Sequence, residues 1–217
     1  MIMRKGLLVG IAAVTLITGC RSGTDQAPAT PAPSFSPAIP AAKAPASAPA
    51  PVPPSAQPLY LCCNIRTETD WLSDGGYLVG RIIPAGTPVK HLGTSRSVAS
   101  IEIDGKCFRL SNEFGVRAEP TEVWLKKVLV AQDPNAKLKT SQPAVQNAIK
   151  AGKLMRGMTK EQVVMTLGIP PAHTNSSLNA AEWTYMSNRW VRYTVQFDQN
   201  GRLRDVTGGW RDSLLLP

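Results

Sequence analysis

Histidine is nearly missing from this chain: His91 and His173 are the two it has, and they lie far apart. They form no pair with metal-ligand spacing and no HExxH, and no CxxC occurs. A Ser/His/Asp order, a nucleophile elbow and a phosphate-binding loop are absent too. The side chains that hydrolases, metalloenzymes and nucleotide-binding enzymes require are therefore not assembled, and the sequence predicts no enzyme, no metal and no diffusible cofactor. His91, on a short strand, and His173, in a loop, read as ordinary polar residues. Asp70, Asp74, Glu102 and Asp104 cluster around turns and read as a solvated rim.

Membrane-spanning length is missing as well. Behind Arg4 and Lys5 an apolar run extends from Leu7 to Ile17, 11 residues, well short of the ~20 that cross a bilayer as a helix. Such a run behind basic residues is the core of a signal peptide over residues 1–19. It ends Ile17-Thr18-Gly19-Cys20, which resembles a bacterial lipobox. That resemblance implies cleavage before Cys20, a diacylglycerol on its thiol and an acyl chain on its amine. Several acyl chains together anchor firmly, because each buried methylene contributes ~0.8 kcal/mol. Arg21 stands where aspartate is the usual inner-membrane retention signal, so the implied location is the outer membrane, facing the periplasm.

Charge is almost absent from Arg21 to Pro58, where only Arg21, Asp25 and Lys43 carry it, while eleven of the nineteen prolines fall there. Such a segment buries too little apolar surface to offset the entropy of ordering. Residues 20–58 are therefore expected to be a disordered Pro/Ala-rich tether behind the lipidated cysteine. Its polyproline tendency makes it semi-rigid, with a reach of at most roughly 100 Å.

Folded structure is expected from Leu59 onward. Over 59–117 five short strands follow one another: Leu59–Ile65, Leu78–Ile83, Pro88–Leu92, Val98–Ile103 and Lys106–Leu110. Asp104-Gly105 is a two-residue hairpin turn, since both residues tolerate positive φ. The spacing predicts a small antiparallel barrel or sandwich. Ile83-Pro84-Ala85-Gly86-Thr87-Pro88-Val89 is similar to sequences in Src-homology-3-like barrels of bacterial envelope proteins. A connecting helix is predicted within 118–135, opening at Glu119-Pro120-Thr121-Glu122, with Trp124, Val128 and Ala131 on its apolar face and Asp133-Pro134 as its end.

The last part, 136–217, carries the best-specified local structure. A helix over Pro143–Ala151 places Val145, Ala148 and Ile149 on one side. The next helix follows Thr159, a good N-cap, with Gln162 three residues on to complete a capping box. Met158 can staple onto Val163, Val163 and Leu167 share a face, and Gly168 with Pro170-Pro171 stops the helix. Three strands follow, Glu182–Met186, Arg189–Asp198 and Arg202–Val206. In the second, Val191, Tyr193, Val195 and Phe197 alternate with Trp190, Arg192, Thr194 and Gln196, the pattern of a half-buried antiparallel sheet.

Gly157-Met158-Thr159-Lys160-Glu161-Gln162-Val163, Leu167-Gly168, Trp183-Thr184-Tyr185 and Val195-Gln196-Phe197-Asp198 with Gly201 resemble the SmpA/OmlA (BamE-like) lipoprotein family, over Ile149 to Val206. The resemblance implies an ααβββ fold and a role in protein and lipid contact without chemistry. The connection at Ser187-Asn188 is tighter than the family's, so the family's contact residues are not transferred. The fold class expected for the chain is α+β, a barrel-like domain followed by a BamE-like one.

Three cysteines remain beyond Cys20: Cys62, Cys63 and Cys107. In an oxidising periplasm at least one disulfide is expected among them. A bond from Cys107 to Cys62 or Cys63 would staple two strands, and a vicinal Cys62–Cys63 bond is the strained alternative.

The formal charge of +9 falls by two, to +7, when Arg4 and Lys5 leave with the signal peptide. The excess lies beyond Asn135: residues 59–135 hold nine basic and nine acidic side chains, residues 136–217 eleven and five. Arg189, Trp190, Arg192, Arg202 and Arg204 are the interaction candidates, a cationic face with an embedded aromatic that suits anionic lipid headgroups or an acidic protein. Export argues against nucleic acid. The function expected is that of a non-enzymatic outer-membrane lipoprotein, an interaction module in envelope or outer-membrane protein assembly. A peptidoglycan-binding lipoprotein and an inhibitor of a periplasmic enzyme are the alternatives.

Overall fold

The computed structural model describes residues 58–75, 78–112, 114–188 and 190–217. The signal peptide, Cys20, the tether up to residue 57 and Arg189 lie outside the described residues.

The middle region is a curled sheet. Its strands are β1 (Leu59–Leu61), β2 (Ile65–Thr67), β3 (Trp71–Ser73), β4 (Arg81–Ile83), β5 (Pro88–Ser95), β6 (Val98–Ile103) and β7 (Lys106–Ser111). β5, β6 and β7 form a meander whose second turn has φ of 50° at Asp104 and 73° at Gly105, the positive pair the sequence promised. After α1 (Thr121–Val128) the chain forms β8 (Leu129–Val130), which pairs with β1 and completes a six-stranded sheet in the order β3-β7-β6-β5-β1-β8. β2 and β4 form a separate antiparallel pair. Leu61, Leu72, Ala99, Ile101, Leu110, Trp124 and Val128 are the centre of this core.

The sheet departs from an all-antiparallel barrel in one pair. β3 lies parallel to β7, Trp71 opposite Arg109. The loop before β3 fixes this: Arg109 donates its backbone N–H to the Asp70 carbonyl (2.8 Å), and its guanidinium pairs with the Asp70 carboxylate (3.1 Å). β4 is also shorter than its apolar run, because Gly80 turns the chain at φ 79° and Val79 faces solvent.

α2 (Asn135–Leu138), α3 (Pro143–Lys150) and α4 (Lys160–Leu167) lead to the three-stranded antiparallel sheet of β9 (Glu182–Met186), β10 (Arg192–Phe197) and β11 (Leu203–Gly208), with β10 in the centre; α5 (Arg211–Leu214) closes the chain. α4 starts as its sequence dictates: Gln162 N–H donates to Thr159 Oγ1 (3.1 Å), and Thr159 N–H to Gln162 Oε1 (2.8 Å). Met158 and Val163 are both in the core, as are Tyr193, Val195 and Phe197 from the inner face of β10. α4 also buries Met165 and Thr166, since the curled sheet covers part of it.

Asn64 makes that junction. Its Nδ2 donates to the carbonyls of Ile149 (2.7 Å) and Thr166 (3.3 Å), its Oδ1 accepts from Ala85 N–H (3.0 Å), and its own N–H donates to the Met165 carbonyl (2.9 Å). Gly152 abuts Arg66 and Ile82 so closely that a Cβ there would come within 2.6 Å of the guanidinium. Residues from β1 to α5 thus share one compact unit.

Two stacked tyrosines, Tyr185 and Tyr193 (5.6 Å between centroids), differ in one bond. Tyr185 Oη donates to the Gly168 carbonyl (3.0 Å), whereas Tyr193 Oη is buried with no partner among the described residues. Burial pushes both phenols far above their ordinary range, so both stay neutral. Tyr185→Phe should lower stability by about 1 kcal/mol by orphaning a carbonyl. Tyr193→Phe should raise it by about 1 kcal/mol by removing a buried unsatisfied hydroxyl. Urea denaturation of the two variants reads these opposite signs.

Candidate interaction surface

The strand register decides which of the basic candidates share a surface. β10 pairs with β9 through Arg192 opposite Met186, and with β11 through Tyr193 opposite Gly208. The chain just before β10 therefore runs beside the chain just after β11. The contacts there are close: a Cβ on Gly208 would meet the Arg192 carbonyl at 2.9 Å, and one on Gly209 would meet Val191 Cγ1 at 2.4 Å. Only glycine at 208 and 209 lets the two segments approach so nearly.

Trp190 and Trp210 project from this end of the sheet. Trp190 is 83% exposed and Trp210 48%. Asn188 holds the loop under Trp190, its Oδ1 accepting from Trp190 N–H (2.8 Å) and Val191 N–H (3.0 Å). Trp210 has φ 73°, a left-handed conformation that is an outlier for a bulky side chain. Arg192 is exposed on the same end. Trp190 contributes little burial that would explain it, and Trp210, half-buried, carries backbone strain.

Arg202 and Arg204 stand at the far end of the sheet. Arg202 closes the β10–β11 turn, donating its N–H to Asp198 Oδ1 (2.8 Å). Arg204 donates to Gln196 Oε1 (3.1 Å), and Gln196 in turn to Glu182 (2.8 Å), a chain of polar contacts across three strands. The single cationic face expected from alternation is thus split, because β10 is a full strand long and the candidates sit at both of its ends. Asp205 adds a further brake on positive potential: the Val206 N–H, and after it Arg211 and Arg156, hold its carboxyl below the usual carboxylate range. Trp210 is the residue sequence reasoning missed. Its signal was a tryptophan directly after Gly208-Gly209, where a strand runs out.

The cysteines and acids settle differently from the expectation. Cys62 is bonded to Cys63, so neither of them is joined to Cys107. Cys107 is on β7, and β6 and β5 lie between it and β1. Three strand spacings amount to about 14 Å, twice what a disulfide bridges. Asp74 is buried, not part of a solvated rim: it accepts from the N–H groups of Phe114 (3.2 Å) and Gly115 (2.8 Å). His91 is exposed beside Thr94 (3.0 Å), and exposed His173 lies near the Phe114 ring. No helix among the described residues is long and apolar enough to cross a membrane.

No curated protein and no solved structure matches the chain significantly. One family model does, that of the Outer membrane protein assembly factor BamE domain, over residues 145–207. The matched span takes in most of α3, all of α4 and β9, β10 and most of β11, the helices and the sheet whose packing is described above. Residues 145–207, which carry Trp190 and Arg192 and end three residues before Trp210, form a BamE-like domain.

Proposed function

We propose that the protein is a lipid-anchored, non-enzymatic interaction module on the periplasmic face of the outer membrane, serving outer-membrane protein assembly. Its BamE-like domain docks onto an envelope protein or anionic lipid surface through Trp190, Trp210 and Arg192. The observation that carries this is the pair of exposed tryptophans at one sheet end of a BamE-like domain. Tryptophan and arginine are the side chains most enriched where interfaces hold their energy, and tryptophan also suits a membrane–water boundary. Arg189 precedes Trp190 in the sequence. The lipidated Cys20 supplies the anchor and the Pro/Ala-rich segment the reach.

Feeding cells an alkyne-tagged palmitate tests the anchor. The wild-type protein should take up the label and sediment with the outer membrane. Cys20→Ala should lose both label and membrane, and an unlabelled wild-type protein recovered in the soluble periplasm would contradict the proposal. Sedimentation with purified sacculi separates the peptidoglycan alternative, which predicts retention that does not depend on Trp190.

A further inference from the structure

We propose that the Cys62–Cys63 disulfide is a redox latch: a dithiol reduces it through Cys62, and the opened pair loosens the junction between the curled sheet and α4. The latch concerns that junction alone and stands whether or not the tryptophan-bearing end of the β9–β11 sheet docks a partner.

Stapling the fold does not account for this bond. A disulfide stabilises chiefly by closing a loop in the unfolded chain, and the effect shrinks with the length of that loop. Cys62 and Cys63 are neighbours in sequence, so their bond closes the shortest loop there is and leaves the unfolded chain nearly as free as before. What it restricts is local, the backbone of two adjacent residues held in one small ring. Those residues lie where the chain passes from β1 to β2 across the junction. Cys62 donates its N–H to the Val128 carbonyl at the end of α1 (2.8 Å). Asn64, the residue after the pair, donates its N–H to the Met165 carbonyl on α4 (2.9 Å), and its side chain bonds to Ile149, Thr166 and Ala85. The ring therefore sets the direction in which the chain enters Asn64, the side chain that bridges the two halves.

Access to the bond is one-sided. Cys63 is 1% exposed. Cys62 is half-buried and lines a groove of about 830 Å³ between α4 and the segment joining α1 to α2, room enough for a small-molecule reductant. Val130, Pro134, Val164 and Met165 give this groove apolar walls. On its inner side Cys63 borders a small cavity of about 40 Å³ with Trp124, Val128 and Thr166, which leaves the freed sulfur space to move.

The exchange follows from that access. A thiolate of the dithiol attacks Cys62 Sγ and forms a mixed disulfide. The electron pair of the broken bond leaves on Cys63 Sγ, which takes up a proton. The second thiolate of the dithiol then displaces Cys62 Sγ, which is protonated in turn. Two electrons and two protons have passed to the pair, and the dithiol departs as a disulfide. Both backbone residues regain the freedom that the ring denied them, and Asn64 is no longer aimed.

Peptide-resolved hydrogen exchange of the full chain bearing Cys20→Ser, with and without dithiothreitol and without denaturant, tests this. Alkylation should label neither Cys62 nor Cys63 before reduction and both after it. Reduction should speed exchange of the Asn64 and Ala85 amides by at least about tenfold, the effect of freeing two backbone residues, while the β10 amides keep their rate. A variant carrying Cys62→Ser and Cys63→Ser should exchange at the fast rate in either condition, so an effect of the reductant elsewhere in the chain shows as a remaining difference in that variant. A monothiol, 2-mercaptoethanol, quenched early should be found on Cys62. Free thiols at both positions in the untreated protein overturn the proposal. So does a pair that resists dithiothreitol until urea unfolds the chain, or reduction that leaves the Asn64 and Ala85 amides at their original rate. A monothiol trapped on Cys63 overturns entry through the groove.

Discussion

Asn64→Ala should lower the stability of the folded chain by about 4 kcal/mol, the largest effect expected of any polar substitution outside the sites of contact. The side chain is 5% exposed and bonds across the junction between the curled sheet and the helices. Removing it orphans the carbonyl of Thr166 and the N–H of Ala85 and leaves the Ile149 carbonyl with fewer donors. Each buried orphan costs about 1–3 kcal/mol, and whole domains are stable by only about 5–15 kcal/mol. Asn64→Asp keeps the acceptor for Ala85 but aims a carboxylate at two carbonyl oxygens, so it should be at least as damaging. Urea denaturation followed by tryptophan fluorescence and by circular dichroism reads both. The wild type should show one shared transition. Asn64→Ala should move its midpoint down or split it into two, one for each side of the junction.

Trp190→Ala and Trp210→Ala should each weaken binding to the docking partner by about thirtyfold, the loss of roughly 2 kcal/mol typical of an anchoring aromatic. Trp190→Ala should change stability little, since Trp190 is 83% exposed, and Trp210→Ala somewhat more, since Trp210 is 48% exposed. Trp210→Gly sharpens the test. It relieves a left-handed residue with φ 73°, so it should weaken the fold less than Trp210→Ala does while binding falls as far. A loss of binding that stays the same while the cost in stability shrinks is the mark of a residue kept for contact. Arg202→Glu and Arg204→Glu, at the far end of the sheet, should alter binding far less than Arg192→Glu. Affinity capture from solubilised membranes, set beside thermal unfolding of the same variants, measures both quantities.

What could be read from the sequence was local. The α4 cap needs only Thr159 and Gln162, three residues apart, and both of its hydrogen bonds are present. The inner face of β10 needs only alternation, and Tyr193, Val195 and Phe197 are buried as expected. Where distant partners decide, the local reading fails. Helical periodicity carried the helix after Pro120 on to Ala131, yet Val130 pairs with Tyr60 on β1 and Ala131 is exposed. α2 and α5 have four residues each and no helical pattern of their own. α5 is held because Leu214 and Leu215 are buried and the Leu214 carbonyl accepts the Leu154 N–H (2.8 Å). Asp74 looked like a turn carboxylate because nothing nearby reveals that residues forty positions away supply its donors. The surface was half legible: Trp190 and Arg192 follow from alternation, but the separation of Arg202 and Arg204 from them follows from register, which alternation does not contain.

The most direct test of the docking account places a photo-activated crosslinking residue at position 190, at 210, or at Leu92 on β5, in the lipidated protein inside living cells. Leu92 is 39% exposed and lies on the curled sheet, not on the β9–β11 sheet. Illumination should yield discrete adducts with an envelope protein or with lipid from positions 190 and 210 and none from 92. Adducts from position 92 with none from 190 and 210 would contradict the assignment of this surface.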